Sequence, residues 1–229
     1  QGLAWQYPAA SRAEVPAKGS LTSSVHKREQ TALERPGFLS KDGLTAAEMG
    51  TALHAFLEHA DFAALAAAKA SGTLDEAICA ERDRQVAVQL TPPEIAEKLD
   101  VRRIRCFAES DAFARICAAD AVLRELAFIT ALPASAVLAA QGSAAPEGEA
   151  AKASVLVQGI ADIVLIFPDH LELLDYKTDR RKTEADFLAA YRAQLNLYAL
   201  AIDKRFAPKK VTYKGIYSLE LGKLIEVKG

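Results

Sequence analysis

The feature that most constrains the fold is a predicted β-hairpin between residues 162 and 177. Two apolar segments rich in Ile, Leu and Val lie on either side of the turn 168–170, and this pattern is typical of two antiparallel strands. Asp162 begins the first strand, and Asp175 and Lys177 end the second. Burying such charges is costly unless they are paired or bind a metal ion, so the hairpin must satisfy them in one of these ways.

The register of this hairpin decides whether the two carboxylates can act together. Side chains alternate along a strand, so Asp175 and Lys177 point to the same face. A loop of two or four residues places Asp162 opposite Asp175, with Cβ atoms about 5 Å apart. A three-residue loop places the two acids on opposite faces. A shared metal site therefore requires the even loop, or a bulge that restores its register.

A simpler interpretation is a surface hairpin whose charges are solvated. Against it, Asp162 lies within the apolar stretch 160–167, which is typical of a buried central strand. Two ionised carboxylates in such a strand repel each other, so one pKa rises unless a cation lies between them. Two acids that hold a divalent cation, with an ammonium group beside the attacked phosphate, are the groups that metal-dependent phosphodiester cleavage needs.

The chain divides into three predicted segments. Residues 1–44, rich in Pro, Ser and Lys, predict a linker and lead-in with a short helical turn near 23–28. Residues 45–120 predict an Ala-rich helical block, and residues 121–229 the core of an α/β domain. The predicted elements are helices at 45–70, 74–90, 91–120 and 183–204, a helix end leading into a strand at 121–130, and strands at 154–167, 171–178, 211–218 and 223–227.

Composition restricts the class of protein. The chain is 51% hydrophobic and 25% charged, as soluble globular proteins are, and no apolar run is long enough to span a membrane. Its start, without Met or a signal peptide, predicts a cytoplasmic piece of a longer protein. The net charge of −2 neither favours nor excludes nucleic acid, since binding needs only a local basic surface. The 3 Cys predict reduced thiols and cannot supply the four thiolates of an iron–sulfur cluster.

Several sequence elements follow one another in a recognisable order. They are Gly50-Thr51-Ala52-Leu53-His54, Arg124-Glu125 followed by Phe128, Gln158-Gly159-Ile160-Ala161-Asp162, Leu173-Leu174-Asp175-Tyr176-Lys177-Thr178-Asp179, and Gln194 followed by Tyr198. With these elements the chain resembles the RecB-like branch of the PD-(D/E)XK nucleases, most closely the C-terminal nuclease domain of AddA-type helicase–nuclease subunits. The resemblance covers about 50–198, and the lead-in near 18–25 also fits it.

The resemblance implies a restriction-endonuclease-like α/β fold, with a mixed sheet flanked by helices and an N-terminal helical accessory segment. It implies Mg²⁺ or Mn²⁺ as cofactor, no iron–sulfur cluster, and exonucleolytic hydrolysis of single DNA strands in double-strand-break repair and recombination. The implied partners are DNA, a helicase motor of the same parent chain and a partner helicase–nuclease subunit. Two alternatives remain, a catalytically silent nuclease fold that binds DNA or serves in docking to a partner protein, and a stand-alone exonuclease.

The resemblance also assigns roles to the hairpin residues. Asp162 and Asp175 are the carboxylate ligands of the metal, and the backbone carbonyl of Tyr176 is a further ligand. Lys177 orients the attacking water or neutralises the transition state. Its alternative role is a salt bridge to Asp175 alone.

Two further elements support this metal site. His54 matches the family's metal-binding His, although a lone His in a helix is more often packed or solvated. Gly50 lies in the same predicted helix, where Gly costs about 1 kcal/mol relative to Ala, so we expect another element to approach closely there. Glu125 supports the metal site through a water or pairs with Arg124.

The remaining candidates are DNA-binding residues. Gln194 and Tyr198 lie one turn apart on the helix predicted after the hairpin, where Gln194 contacts a phosphate and Tyr198 stacks or hydrogen-bonds near the strand. The alternative for this stripe, and the favoured one for Tyr191, is an ordinary core face. Thr178 and Arg180 begin a basic segment that suits phosphate contact, although such charge runs are usually solvated loops.

Overall fold

The computed structural model describes residues 18–20, 46–144, 148 and 153–228, in which six strands form one mixed sheet with eight helices around it. The strands are β1 (Lys18–Ser20), β2 (Ala121–Pro133), β3 (Ser154–Ile166), β4 (Leu171–Lys177), β5 (Val211–Ser218) and β6 (Lys223–Glu226). The helices are α1 (Ala46–His59), α2 (Phe62–Ser71), α3 (Leu74–Ala87), α4 (Pro93–Ala96), α5 (Val101–Glu109), α6 (Asp111–Ala118), α7 (Ala134–Ala140) and α8 (Glu184–Arg205). The predicted α/β class, with a mixed sheet flanked by helices, is confirmed.

Strand β3 is the centre of the sheet and has partners on both edges. One edge pairs antiparallel with β2 along the whole strand. The other edge pairs in parallel with β1 at 156–158 and antiparallel with β4 at 163–166. Within the described ranges, residues 159–162 have no strand partner on that edge. They leave a notch in the sheet beside β4, and the sheet continues from β4 through β5 to β6.

The β3–β4 hairpin has the register that a shared site requires. Regular pairs run from Ile163↔Leu174 to the turn. In this register Asp162 and Asp175 are the next two positions in line, at the point where the regular pairing ends. The predicted even loop is therefore confirmed, and the three-residue loop is excluded.

Two hydrophobic cores stabilise the sheet, one on each face. On one face, helices α1 to α6 pack against it through side chains such as Phe56 and Phe107. On the other face, α7 and α8 do so through residues such as Val137 and Leu195. Each fully buried side chain of this size contributes about 1.5–3 kcal/mol relative to an exposed one. The notch lies between these cores, so rigid packing supports it from both sides.

The alternation of side chains along β3 changes at Asp162. Ala161 packs in the α8-side core, whereas Ile163, two residues later, packs in the α1-side core. In a regular strand these two residues would share a face. On β2, the residue opposite Asp162 is Glu125, whose φ of 46° lies in the left-handed region. Both strands therefore depart from regular geometry at the two acids.

The helical block differs in detail from the prediction. The single helix expected at 45–70 is two helices, because Asp61 accepts a hydrogen bond from the amide of Ala64 at 2.9 Å and caps α2. The helix expected at 91–120 is three, and two of them begin at the N-caps Asp100 and Ser110. Among the described residues, no helix is long and apolar enough to cross a membrane.

Two other segments correct the sequence-based assignment. Residues 18–20, expected to be linker, form β1, whose pairing partner in β3 is far away in sequence and so leaves no local pattern. The remainder of 1–44, including the predicted turn near 23–28, lies outside the described residues. Residues 121–130, expected to begin as a helix end, are strand throughout, because pairing with β3 overrides their mixed local pattern.

Gly159 allows the α8-side core to close beneath the notch. A Cβ atom at this position would lie 2.8 Å from side-chain atoms of both Phe128 and Tyr198. We therefore expect Gly159→Ala to lower the free energy of unfolding by about 1–3 kcal/mol, the usual cost of overpacking. Thermal unfolding measures this effect, with Ser154→Ala, at an exposed position of the same strand, as the control. Equal stability of the two variants would contradict the close packing.

Candidate active site

The notch in β3 opens into a groove of about 850 Å³. Side chains from β3, β4 and α8 converge on it. Five predicted site residues line it together, namely Asp162, Asp175, Lys177, Gln194 and Tyr198. Residues that are distant in sequence therefore meet where the strand pairing is interrupted.

Three side chains form a cluster of metal-ligand type at the notch. Ligand atoms of His54, Glu125 and Asp162 all lie within 4.8 Å of one another. His54 Nδ1 lies 3.6 Å from Asp162 Oδ2, and the same oxygen accepts a hydrogen bond from the Tyr176 amide at 2.8 Å. This side-chain contact fixes the Asp162 carboxylate at the end of β4, beyond the last regular pair of the two strands.

Glu125 belongs to this cluster rather than to an ion pair with Arg124. Arg124 instead donates hydrogen bonds to the carbonyls of Glu58 and Ala60, both at 2.7 Å. A non-glycine residue with φ of 46° costs free energy, of order 1–3 kcal/mol, and such strain is concentrated at functional sites. The strained backbone therefore supports a role for the Glu125 carboxylate at the site.

The Asp175 carboxylate lies outside this cluster and holds Lys177. Asp175 Oδ2 and Lys177 Nζ are 2.6 Å apart. The ammonium group also lies 4.7 Å from the ring centroid of Tyr191, whose hydroxyl donates to Asp179 at 2.8 Å. The position of Lys177 is therefore determined by a carboxylate and an aromatic ring, and Tyr191 is a buried supporting residue.

Burial and like charges perturb the acids of the site. Burial raises the pKa of Asp162 well above its ordinary value, and the nearby Asp175 carboxylate raises it further. Burial also raises the pKa of Glu125, with smaller contributions from Glu58 and Asp175. A site that concentrates carboxylates in this way has strong affinity for positive charge.

The basic groups respond in opposite directions. Burial lowers the pKa of His54, and the Lys177 ammonium lowers it further, so the imidazole is neutral and can act as a ligand. Burial would lower the pKa of Lys177, but the carboxylates of Asp175 and Asp162 outweigh it and raise that pKa. The ammonium group therefore remains charged beside the acids.

The end of α1, the helix that carries His54, is held by side chains from two other elements. Arg124 of β2 binds the carbonyls of Glu58 and Ala60, and its guanidinium lies 4.0 Å from the ring centroid of Phe62. Gln85 of α3 donates to the Phe56 carbonyl at 3.0 Å. The last carbonyls of a helix have no partner within it, and cationic donors there also complement its dipole. These contacts fix α1 relative to β2, which carries Glu125.

The close approach predicted at Gly50 is also present. A Cβ atom at this position would lie 2.5 Å from the Thr178 hydroxyl oxygen. Helix α1 can therefore contact the residue that follows Lys177 directly. This contact places the two metal-site elements, α1 and β4, side by side.

The predicted DNA-binding residues occupy different environments. Gln194 is 9% exposed and lines the groove. The ring of Tyr198 is buried and packs edge-on against Phe128 at 4.9 Å between centroids, as the core interpretation expects, while the residue still lines the groove. Thr178 is half-buried, and Arg180 is exposed. Stacking of a base on Tyr198 has little structural support.

Sequence reasoning missed three residues of the groove. Arg205 at the end of α8 lines it and donates to the Ala127 carbonyl at 2.8 Å. Ile129 and Ile160 also line it and are exposed. Their position on alternating strands was visible in the sequence, but nothing local distinguished them from core residues.

The donor set fits a divalent cation that prefers oxygen ligands. The carboxylates of Asp162 and Glu125 are hard oxygen donors, as are backbone carbonyls such as that of Tyr176, and such groups suit Mg²⁺ and Mn²⁺. His54 adds one nitrogen donor. The electrostatic influence of Asp175 on all three cluster residues makes a cation more favourable there.

Comparison with known proteins agrees with this geometry. The chain is 30% identical over 240 residues to the A subunit of the ATP-dependent helicase/nuclease of Acetivibrio thermocellus, covering 97% of the chain and 18% of that relative. It is 34% identical over 219 residues to the protein of the same name from Moorella thermoacetica, covering 89% of the chain and 15% of the relative. The chain thus spans at most 18% of the length of these two relatives.

A family model described as the PD-(D/E)XK nuclease superfamily matches residues 26–226. The match includes the notch, the β3–β4 hairpin and the helix that carries His54. Together with the mixed sheet and the cluster of potential metal ligands, it shows that the chain belongs to the PD-(D/E)XK nuclease superfamily.

Proposed function

We propose that the chain is a metal-dependent DNA nuclease domain that hydrolyses single strands exonucleolytically, as part of a bacterial helicase–nuclease in double-strand-break repair and recombination. The observation that carries this proposal is the convergence of His54, Glu125 and Asp162 beside the Asp175–Lys177 pair. A cytoplasmic location follows from this role.

The roles of the residues follow from their positions. Asp162, Glu125 and His54 hold the ion, with Asp175 and the Tyr176 carbonyl as the further ligands that the resemblance implies. When bound there, Mg²⁺ or Mn²⁺ lowers the pKa of a bound water and stabilises charge on the phosphate. The Lys177 ammonium neutralises the negative charge that develops on the attacked phosphate, or orients the water, from its fixed position.

The groove supports DNA as the substrate. Gln194 and Arg205 offer amide and guanidinium donors beside the proposed metal site, and Thr178 and Arg180 lie on the segment directly after Lys177. Tyr198 contributes to the groove wall. Phosphate contacts of this kind position a strand without reading its sequence.

The proposed partners follow from the relatives. The name of each relative combines a helicase and a nuclease in one polypeptide, and the chain matches only a small part of each relative. We therefore assign the helicase motor to the same parent chain and expect a partner helicase–nuclease subunit.

Metal dependence is the direct test. We expect the 229-residue chain to degrade a 5′-labelled single-stranded oligonucleotide with Mg²⁺ or Mn²⁺, and to stop when a chelator is added. Titration calorimetry with Mn²⁺ should show binding in the absence of DNA. Absence of both cleavage and metal binding would contradict the proposal and favour the silent DNA-binding or docking module.

A further inference from the structure

Two large apolar side chains are exposed inside the groove, next to the proposed metal site. Ile129 is 66% exposed and Ile160 is 52% exposed. Among the described residues, the other exposed large hydrophobic side chains are Val88, Leu90 and Leu221, and none of these lines the groove. Scattered exposed apolar residues are normal, but two neighbours in one functional groove indicate a binding surface.

The two isoleucines form a continuous surface with the metal site. Ile129 pairs with Gln158 in the β2–β3 ladder, so Ile160 is its diagonal neighbour on the same face. Ile160 precedes Asp162 by two residues, a rise of about 7 Å along the strand. Adjacent Phe128 and Ala161 pack in the α8-side core, so the isoleucines face the opposite side, towards α1. An occupant of the proposed metal site that extends along β3 therefore meets Ile160 and then Ile129.

The chemistry of the groove identifies its occupant. Lys177 and Arg205 supply positive charge in the same groove, which suits a polyanion, while the isoleucines supply apolar contact. A single nucleic acid strand combines both properties, because its phosphates are charged and its unpaired bases expose apolar faces. Base pairs in a duplex hide those faces. Aliphatic side chains such as Ile are used by proteins to contact unstacked bases.

We propose that Ile129 and Ile160 form a base-contacting platform that selects unpaired strands at the entrance to the cleavage site. This proposal rests on the nuclease function proposed above and adds the residues that recognise the bases. The platform makes no hydrogen bonds to base edges, so it distinguishes an unpaired strand from a duplex without reading sequence.

The test measures binding separately from cleavage. The variant Ile129→Thr/Ile160→Thr keeps β-branched side chains in the strands and removes apolar surface. Val88→Thr, an exposed apolar residue outside the groove, is the matched control. Fluorescence anisotropy in chelator compares three labelled probes, which are a single-stranded oligonucleotide, an abasic strand of equal length and a blunt duplex.

We expect the double variant to bind the ordinary strand about tenfold more weakly than the wild type. Binding of the abasic strand and of the duplex should change by less than about twofold, because their bases are missing or hidden. The control should match the wild type on every probe.

Two results would overturn the platform. An equal loss on the abasic strand would mean that the isoleucines act on the backbone or on folding, and no loss on any probe would mean that this face binds a protein instead. Cleavage by the wild type with Mn²⁺, measured in parallel, reports on the nuclease function itself, so a failed platform and a failed nuclease give different results.

Discussion

Asp175→Asn abolishes strand cleavage, with an expected loss of at least about 10³-fold in kcat, and Asp175→Ala does the same. The physical reason is that this buried carboxylate both holds Lys177 at 2.6 Å and adds negative charge to the metal cluster. Asn preserves the shape but loses the charge, so the ammonium group has no counter-charge next to it. A single-strand degradation assay with Mn²⁺ measures the effect.

The control for this prediction separates chemistry from folding. Asp83→Ala removes a carboxylate that is 67% exposed and far from the groove, and it should retain full activity. Asp175→Ala leaves the Lys177 charge unpaired, which itself destabilises the fold, so the Asn variant carries the conclusion. If Asp175→Asn unfolds at the wild-type temperature and still cleaves, Asp175 has no role in the reaction.

Arg124→Met weakens both the fold and metal binding, although Arg124 is not in the cluster of potential ligands. It removes two hydrogen bonds of 2.7 Å from a charged donor to the end of α1, which should lower the free energy of unfolding by about 2–3 kcal/mol. Because α1 carries His54 and β2 carries Glu125, the loss also loosens their relative position. We expect the Mn²⁺ affinity, measured by calorimetry, to fall about tenfold.

Two comparisons refine this prediction. Arg124→Lys keeps the charge but not the planar fork of donors, so it should recover only part of the stability. Arg102→Met, at an exposed position of α5, should leave both quantities unchanged. Loss of stability with normal Mn²⁺ affinity and normal kcat would show that Arg124 supports the fold without positioning the ligands.

The strands that carry the acids were predictable because their signals are local. The apolar segments around the turn 168–170 fixed the hairpin, and the requirement for a shared site fixed its even register, which the pairing of Ile163 with Leu174 confirms. Gly50 was also informative, since a glycine within a helix indicated a close neighbour and Thr178 is that neighbour. The boundaries within the helical block were less predictable, because caps such as Asp61 compete with continuous helical periodicity.

The sequence by itself determined the α/β class, the hairpin and the types of residue that a metal-dependent nuclease needs. Only the tertiary structure decided that Glu125 joins His54 and Asp162 while Asp175 holds Lys177. It also decided that Arg124 supports α1 and that Tyr198 packs against Phe128. The reason is that local periodicity determines which face of its own strand or helix a side chain occupies, whereas the meeting of distant elements depends on the pairing and kinking of β2 and β3.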